Sequence, residues 1–395
     1  MSLIDATTGI QKPAAGFDPE ALSRLESHLQ TMIDEEKLQC ASYLLAQNGT
    51  VSASKAFGPL THDPASPELR MDSIRRVASV TKLFTTTAIF QLIEQGKLFL
   101  RQSVSEWIEE FKHPMYEKIQ IWHLLTHTSG VQADPGYFQE PYAMGWWDVM
   151  FAFEPDTKGR FEVKDAEEAE RMRRSAWIKA VLSGKPIASP GEQWMYSSAG
   201  YALLGEIITR ASGKPYEQYI IEEIAQPLGM SRTFFEVPKE LHHEVCVTND
   251  YDVKRLEKND DRTYAPPRAG GGLYSTIDDL FRFGQMFLNG GQLDGVRVLS
   301  RKSIEKMSQN TLGSGIPAHS WGAQYSEFIY GIGASLTRPD EWLPQGSYGH
   351  EGAGRSKLLI DPIRQAVTVY FLPSNIDWCP EAIDGTHSIL GSGWL

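Results

Sequence analysis

Ser79 and Lys82 stand three residues apart in RVASVTKLFTTTAIFQLIEQG, residues 76–96, where a long apolar segment begins. Three residues of helix turn a side chain through about 300°, so the hydroxyl and the amine share one face and come within hydrogen-bond reach. A serine alcohol is protonated at neutral pH, and a lysine can take its proton only when burial lowers the amine pKa. The unpaired N–H groups and positive dipole end of a helix N-terminus would favour negative charge beside Ser79. The pair is thus a candidate nucleophile and base that needs no histidine.

Ser-x-x-Lys occurs three times, at Ser52/Lys55, Ser79/Lys82 and Ser303/Lys306, and context separates the three. Leu83, Phe84, Ala88, Ile89, Leu92 and Ile93 follow Lys82 at helical spacing, with Gly96 as a stop signal, so Ser79 is expected to open a buried helix. Ser52/Lys55 falls in a strand-like segment, where a three-residue offset points to opposite faces, and Ser303/Lys306 in a polar, exposed helix. The bland alternative for Ser79 is an N-cap serine with a solvated lysine.

Other residues with chemical potential are scattered. Tyr196 sits between the break Ser189-Pro190-Gly191 and an amphipathic helix over Ala199 to Ala211; beside a lysine ammonium, a phenol can serve as base or proton shuttle. Glycines in GSYGHEGAG, residues 346–354, allow close approach of a ligand to a strand edge, where the Ala353 amide could donate to an oxyanion. His123 and His127 are four apart, but Leu124 stands where a zinc protease needs glutamate, and no third ligand is evident; no metal is expected. From Gly136 to Phe153 aromatics crowd together, and Trp146, Trp147 and Phe151 are candidate walls of an apolar acyl pocket.

Taken together, Ser79-Val80-Thr81-Lys82, Tyr196-Ser197-Ser198 and His350-Glu351-Gly352 resemble, in order and separation, the penicillin-binding-protein-like serine hydrolases, the family of class C β-lactamases, D-Ala-D-Ala carboxypeptidases and related esterases. HLLTHTSG at 123–130, PGEQWMYSSAGYALLGEII at 190–208 and GGLYSTIDDLFRF at 271–283 extend the resemblance over most of the chain. It implies that Ser79 is the acylated nucleophile, that Lys82 and Tyr196 share the base and acid work, and that the Ser79 and Ala353 amides form the oxyanion hole. His350, Ser198, Glu351 and Gly352 would border the substrate. The implied fold is α/β (α+β), β-lactamase/transpeptidase-like: an antiparallel sheet flanked by helices, with a mostly helical lobe. Residues 1–72 and 285–395 would form the sheet lobe and 73–284 the helical lobe, with the site in the cleft between them. No cofactor is implied.

The departures bear on substrate. Penicillin-processing members usually end the second triplet in asparagine and begin the third with lysine-threonine, where this chain has Ser198, His350 and Glu351. A histidine lacks lysine's permanent charge at neutral pH, and a glutamate facing the cleft would repel an anion; strand alternation turns only one of His350 and Glu351 inward. An arginine elsewhere, Arg268 or Arg355, could bind a carboxylate instead. The expectation is an esterase acting on a small-molecule ester or small amide. The alternatives are a β-lactamase or D-amino-acid peptidase, and, less favoured, a non-catalytic binding module.

The elements needed to position these groups are legible. Leu22, Leu25, Leu29, Met32 and Ile33 predict a helix within residues 18–36, and Ala41 to Phe57 two strands around Asn48-Gly49, a dipeptide suited to a tight hairpin. Helical periodicity is also expected over Ile119 to Ser129 and Asp278 to Leu288. Short strands are expected at Phe328 to Ser335, Ser347 to Gly349, Lys357 to Ile360 and Ala366 to Leu372, in one antiparallel sheet. With 395 residues, 41% hydrophobic, the chain can bury a large core. A formal charge of −12 argues against nucleic acid or an anionic membrane as partner. MSLIDATTGIQKPAAG has neither a basic n-region nor an apolar segment, so a cytoplasmic location is expected. Cys40, Cys246 and Cys379 are expected to be reduced thiols.

Overall fold

The computed structural model describes residues 16–63, 65–134, 136–137, 166–183, 185–257, 266–374 and 379–395. In chain order its main elements are helix α1 (Pro19–Asp34), strands β1 (Ala41–Gln47) and β2 (Thr50–Phe57), helices α2 (Thr81–Glu94), α3 (Ser198–Ser212) and α4 (Ile277–Leu288), strands β3 (Ser335–Leu336), β4 (Tyr348–Gly352), β5 (Ser356–Asp361) and β6 (Ala366–Phe371), and helix α5 (Pro380–Gly393). The six strands form one antiparallel sheet in the order β2-β1-β6-β5-β4-β3, so the two ends of the chain meet in its middle, where Ser42 to Gln47 pair with Phe371 to Ala366. Asn48 and Gly49 both have positive φ, 53° and 77°, as the tight turn between β1 and β2 requires.

Strand periodicity divides the core. One face of the sheet presents Tyr43, Leu45, Leu359 and Tyr370 to Ala21, Leu25 and Leu29 of α1 and Ala382 and Leu390 of α5. The other presents Leu358, Ile360, Val367 and Val369 to Leu280, Phe283 and Phe287 of α4, and the same cluster continues through α2 and α3. Gly284 lets α4 approach closely, because a Cβ there would lie 2.8 Å from Leu358 and Val367 atoms. Phe84 of α2 stacks on Phe283 with ring centroids 3.8 Å apart, tying the helix that follows Ser79 to the helix that covers the sheet. Helix α4 crosses the boundary at 284/285 expected from sequence and packs on β5 and β6.

Two expected elements differ. Phe328 to Ser335 is not one strand: only Ser335–Leu336 pairs in the sheet, and Tyr330 folds back to bridge Ser335. Two close approaches force this, since a Cβ on Gly331 would lie 2.0 Å from the Met307 carbonyl oxygen and one on Gly333, at φ +72°, would lie 1.9 Å from Thr86 Oγ1. Within Ile119 to Ser129 the helix is a single turn, Ile121–Leu125. No helix among the described residues is long and apolar enough to cross a membrane.

Candidate active site

The chain enters the site along Arg75–Arg76, which pair with Tyr274–Ser275. A short 3-10 turn, Ala78–Val80, then leads into α2. Ala78 adopts φ 43°, a left-handed conformation costly for alanine, and Ser79 remains half-buried while its neighbours are buried. Ser79 does not cap the helix: α2 has no side-chain cap, and its N-cap position is Val80. Thr85, Thr86 and Thr87 return their hydroxyls to carbonyls four residues back, which satisfies these three buried hydroxyls within the helix.

Lys82 is wholly buried. Its Nζ lies 3.2 Å from Ser79 Oγ, 3.1 Å from Ser198 Oγ and 2.7 Å from the Gly270 carbonyl oxygen. It also sits 4.6 Å from the ring centre of Tyr196 and 5.3 Å from that of Tyr201. Loss of hydration pushes its pKa down to about 8, against the opposing pull of the Asp134 carboxylate. About a tenth of the amine is therefore unprotonated at pH 7 and about half at pH 8. The Tyr196 hydroxyl hydrogen-bonds Ser79, but burial drives its pKa well above the ordinary value; Tyr196 rests as a phenol that can relay a proton.

Strand β4 forms the facing wall. His350 is buried, and its Nδ1 donates to the Glu351 carbonyl oxygen at 2.8 Å, which leaves the lone pair on Nε2. Burial, then the nearby Lys82, push its pKa down to about 3, so it is neutral across the physiological range by a wide margin. Glu351 points to the other face, where its carboxylate meets Arg355 Nη1 at 3.3 Å and Lys357 Nζ at 3.4 Å. Alternation thus brings His350 inward and leaves Glu351 outside the group of residues around Lys82. Gly352 lies against the turn that carries Ser79, since a Cβ on it would lie 2.2 Å from the Val77 carbonyl oxygen. Ser356 Oγ donates to that same oxygen at 2.8 Å, and Arg75 Nη2 donates to Gly354 O at 2.8 Å. These ties hold the turn carrying Ala353 beside residues 77–79, and Ala353 itself is exposed.

Ser198 and Asp134 form an arrangement that sequence reasoning missed. Asp134 is buried; its Oδ1 accepts the Ser198 N–H at 2.7 Å and its Oδ2 the Ser198 hydroxyl at 2.6 Å. Ser198 is thereby committed to Asp134 and Lys82. The only sequence signal was an acid in an apolar and aromatic stretch, with its partner 64 residues away. Behind Tyr196 stands His127, with ring centroids 4.4 Å apart. His127 has φ 57°, so it does not share a helical face with His123; its Nδ1 accepts the Ser197 N–H at 3.0 Å, while His123 Nδ1 accepts the Gln120 N–H at 3.0 Å. The two histidines are structural acceptors on separate backbone segments.

Of the aromatic stretch, Tyr137 is described, and its ring lies 4.8 Å from that of Tyr196 and 5.8 Å from that of Trp321. The Trp321 indole hydrogen-bonds the Tyr137 hydroxyl, and Trp321 is 68% exposed, so the row of rings runs from beside Ser79 to solvent. Trp146, Trp147 and Phe151 lie outside the described residues. Arg268 is spent elsewhere, on Phe235 O at 2.8 Å and Glu236 at 3.2 Å. Of the other two Ser-x-x-Lys pairs, Lys55 is ion-paired to Glu26, and Ser303 donates to Glu94.

A family model described as Beta-lactamase matches residues 25–377. Protein Rv1367c of Mycobacterium tuberculosis is 28% identical over 83% of each chain. Esterase EstB of Burkholderia gladioli is 27% identical over 85% of this chain and 90% of its own. Among solved structures, a penicillin-binding protein homologue from Caulobacter crescentus superposes with a TM-score of 0.69 at 18% identity, covering 95% of this chain and 98% of that one.

Proposed function

The chain belongs to the Beta-lactamase family, and from that premise we propose that it is a serine hydrolase that cleaves neutral carboxylic esters through an acyl-enzyme on Ser79. The observation that carries this reading is the buried Lys82 amine 3.2 Å from Ser79 Oγ. Lys82 takes the Ser79 proton as Oγ bonds to the acyl carbon, and Tyr196 relays that proton to the leaving alcohol. The Ser79 and Ala353 amides would receive the oxyanion, a role supported by the packing of the Gly352 turn against Val77. Water then attacks the acyl carbon by the reverse path, releasing the acid and restoring Ser79.

Charge favours esters over lactams. Burial raises the Asp134 pKa, but Lys82 and the two Ser198 hydrogen bonds oppose that shift, so its carboxylate matches the Lys82 ammonium, and burial keeps His350 neutral; these groups leave no surplus positive charge for a substrate carboxylate. Arg268 and Arg355 are both engaged with carboxylates. That a 27% identical relative is an esterase is consistent with this choice. Intact-mass measurement after treatment with a fluorophosphonate should show one adduct on the wild type and none on Ser79→Ala; an adduct on the variant would overturn the assignment. Steady-state kcat/KM should be larger for a p-nitrophenyl ester than for nitrocefin, and the reverse order would favour a β-lactamase.

A further inference from the structure

As a free amine Lys82 has two hydrogens and one lone pair, and three oxygens are within reach. It can accept the Ser79 proton only if both hydrogens are spent on the other two oxygens. The Gly270 carbonyl can only accept and so takes one. Ser198 is the ambiguous partner, because a hydroxyl can accept from the amine or donate to its lone pair, and donation would silence the base. The buried Asp134 carboxylate removes the ambiguity, since its two oxygens take both the N–H and the O–H of Ser198, at 2.7 and 2.6 Å.

We propose that Asp134 is a positioning residue for the Ser79–Lys82 pair: by holding the Ser198 hydroxyl proton it makes Ser198 accept from Lys82 and turns the amine lone pair onto Ser79. The inference rests on the reading of Ser79 as nucleophile. Once the Ser79 O–H bond breaks and the proton forms a third N–H bond on Lys82, the new ammonium donates to Gly270 O and Ser198 Oγ, and the Asp134 charge lies one hydroxyl beyond. The other ionisable groups around Lys82 cannot supply that countercharge. His127 and His350 are held neutral by burial, and Tyr137, Tyr196 and Tyr201 are held as phenols. The arrangement joins α2, the start of α3, the Gly270 turn and the segment after His127.

Asp134→Asn tests this, because the amide has one accepting oxygen for two Ser198 donors and no charge. The expected result with a p-nitrophenyl ester is a loss of at least about tenfold in plateau kcat/KM, smaller than the 10² to 10⁴ of losing a positioned base because Lys82 itself remains. The limb centred at about 8 should also move to lower pH, by about one unit. Ser198→Ala removes the hydroxyl that needs orienting, so adding Asp134→Asn to it should cost little more than either change alone. A limb that stays in place with kcat/KM within about twofold of wild type, or additive losses in the double variant, would overturn the role of Asp134. If Asp134→Asn does not fold, Ser198→Ala alone decides, since retention of wild-type turnover there defeats the proposal. Fluorophosphonate labelling separates the two failures: an adduct on Ser79→Ala sinks the nucleophile reading, whereas normal labelling with an unmoved limb sinks only Asp134.

Discussion

A lysine that loses its hydration shell gives up its proton more readily, and Lys82, pushed down to about 8, must be a free amine to activate Ser79. The ester kcat/KM should therefore rise with pH through about 8 and level off above it; a profile flat from pH 6 to 9 would mean that another group is the base. Replacing Lys82 with alanine should lower kcat/KM by on the order of 10² to 10⁴ without loss of fold. Near-normal turnover in that variant would place the base elsewhere. At this scale the approach of Ser79 to Lys82 was legible from their spacing, whereas Tyr196 joined them only through the resemblance of the three triplets taken together. Asp134 was not legible, because a buried acid declares its role only through a partner brought to it by folding.

At the scale of elements, the site depends on how closely β4 lies against the nucleophile turn. A methyl group at Gly352 would collide with the Val77 carbonyl oxygen and with Ser356 Oγ, at 2.2 and 2.5 Å. Gly352→Ala should thus push the Ala353 amide away from Ser79 and lower kcat by on the order of 10² to 10³, the cost of losing one oxyanion donor. A variant with wild-type kcat would mean that Ala353 does not serve the oxyanion. The hairpin Ala318–Ser320 to Ala323–Tyr325 carries Trp321 over Tyr137. Trp321→Ala should reduce turnover of aromatic or long-chain acyl esters more than that of acetyl esters, since each apolar methylene contact is worth about 0.8 kcal/mol. An equal drop across chain lengths would point to general damage. Strand alternation foresaw that only one of His350 and Glu351 faces inward. Helical spacing misled for His123 and His127, because positive φ at His127 ends the helical course.

For the whole molecule, burial of neutral histidines sets an acid limit. His123 is pushed down to about 4, His350 to about 3, and His127 well below its ordinary value, each chiefly by burial. The unfolded chain binds protons at these rings below about pH 6.5, whereas the folded chain does not until much lower pH. Unfolding therefore takes up protons, and the stability these groups contribute, full above about 6.5, is lost as pH falls toward the folded values. With His387, which burial pushes down to about 2, four such rings near pH 5 would impose a slope of about 5 kcal/mol per pH unit, large against a total of about 5–15 kcal/mol. Calorimetry from pH 7.5 to 4.5 should show Tm falling steeply below 6.5, and less steeply in His123→Gln; a constant Tm down to pH 5 would refute this account.

The sequence by itself determined the features that depend on near neighbours: the α1 stripe, the Asn48-Gly49 turn and the buried helix after Ser79. Each follows from backbone preference or apolar periodicity, which a few adjacent residues decide, while the family was legible as a resemblance carried jointly by three triplets spread along the chain. Only the tertiary structure decided which side chains share the space around Lys82. Gly270, Ser198 and Asp134 come from separate segments, and Trp321 reaches Tyr137 from a hairpin that begins more than 180 residues later. The orientation of a hydroxyl, the neutrality of a histidine and the pKa of a lysine are set by desolvation and by partners distant in the chain. Those quantities come into existence only when the core closes around them.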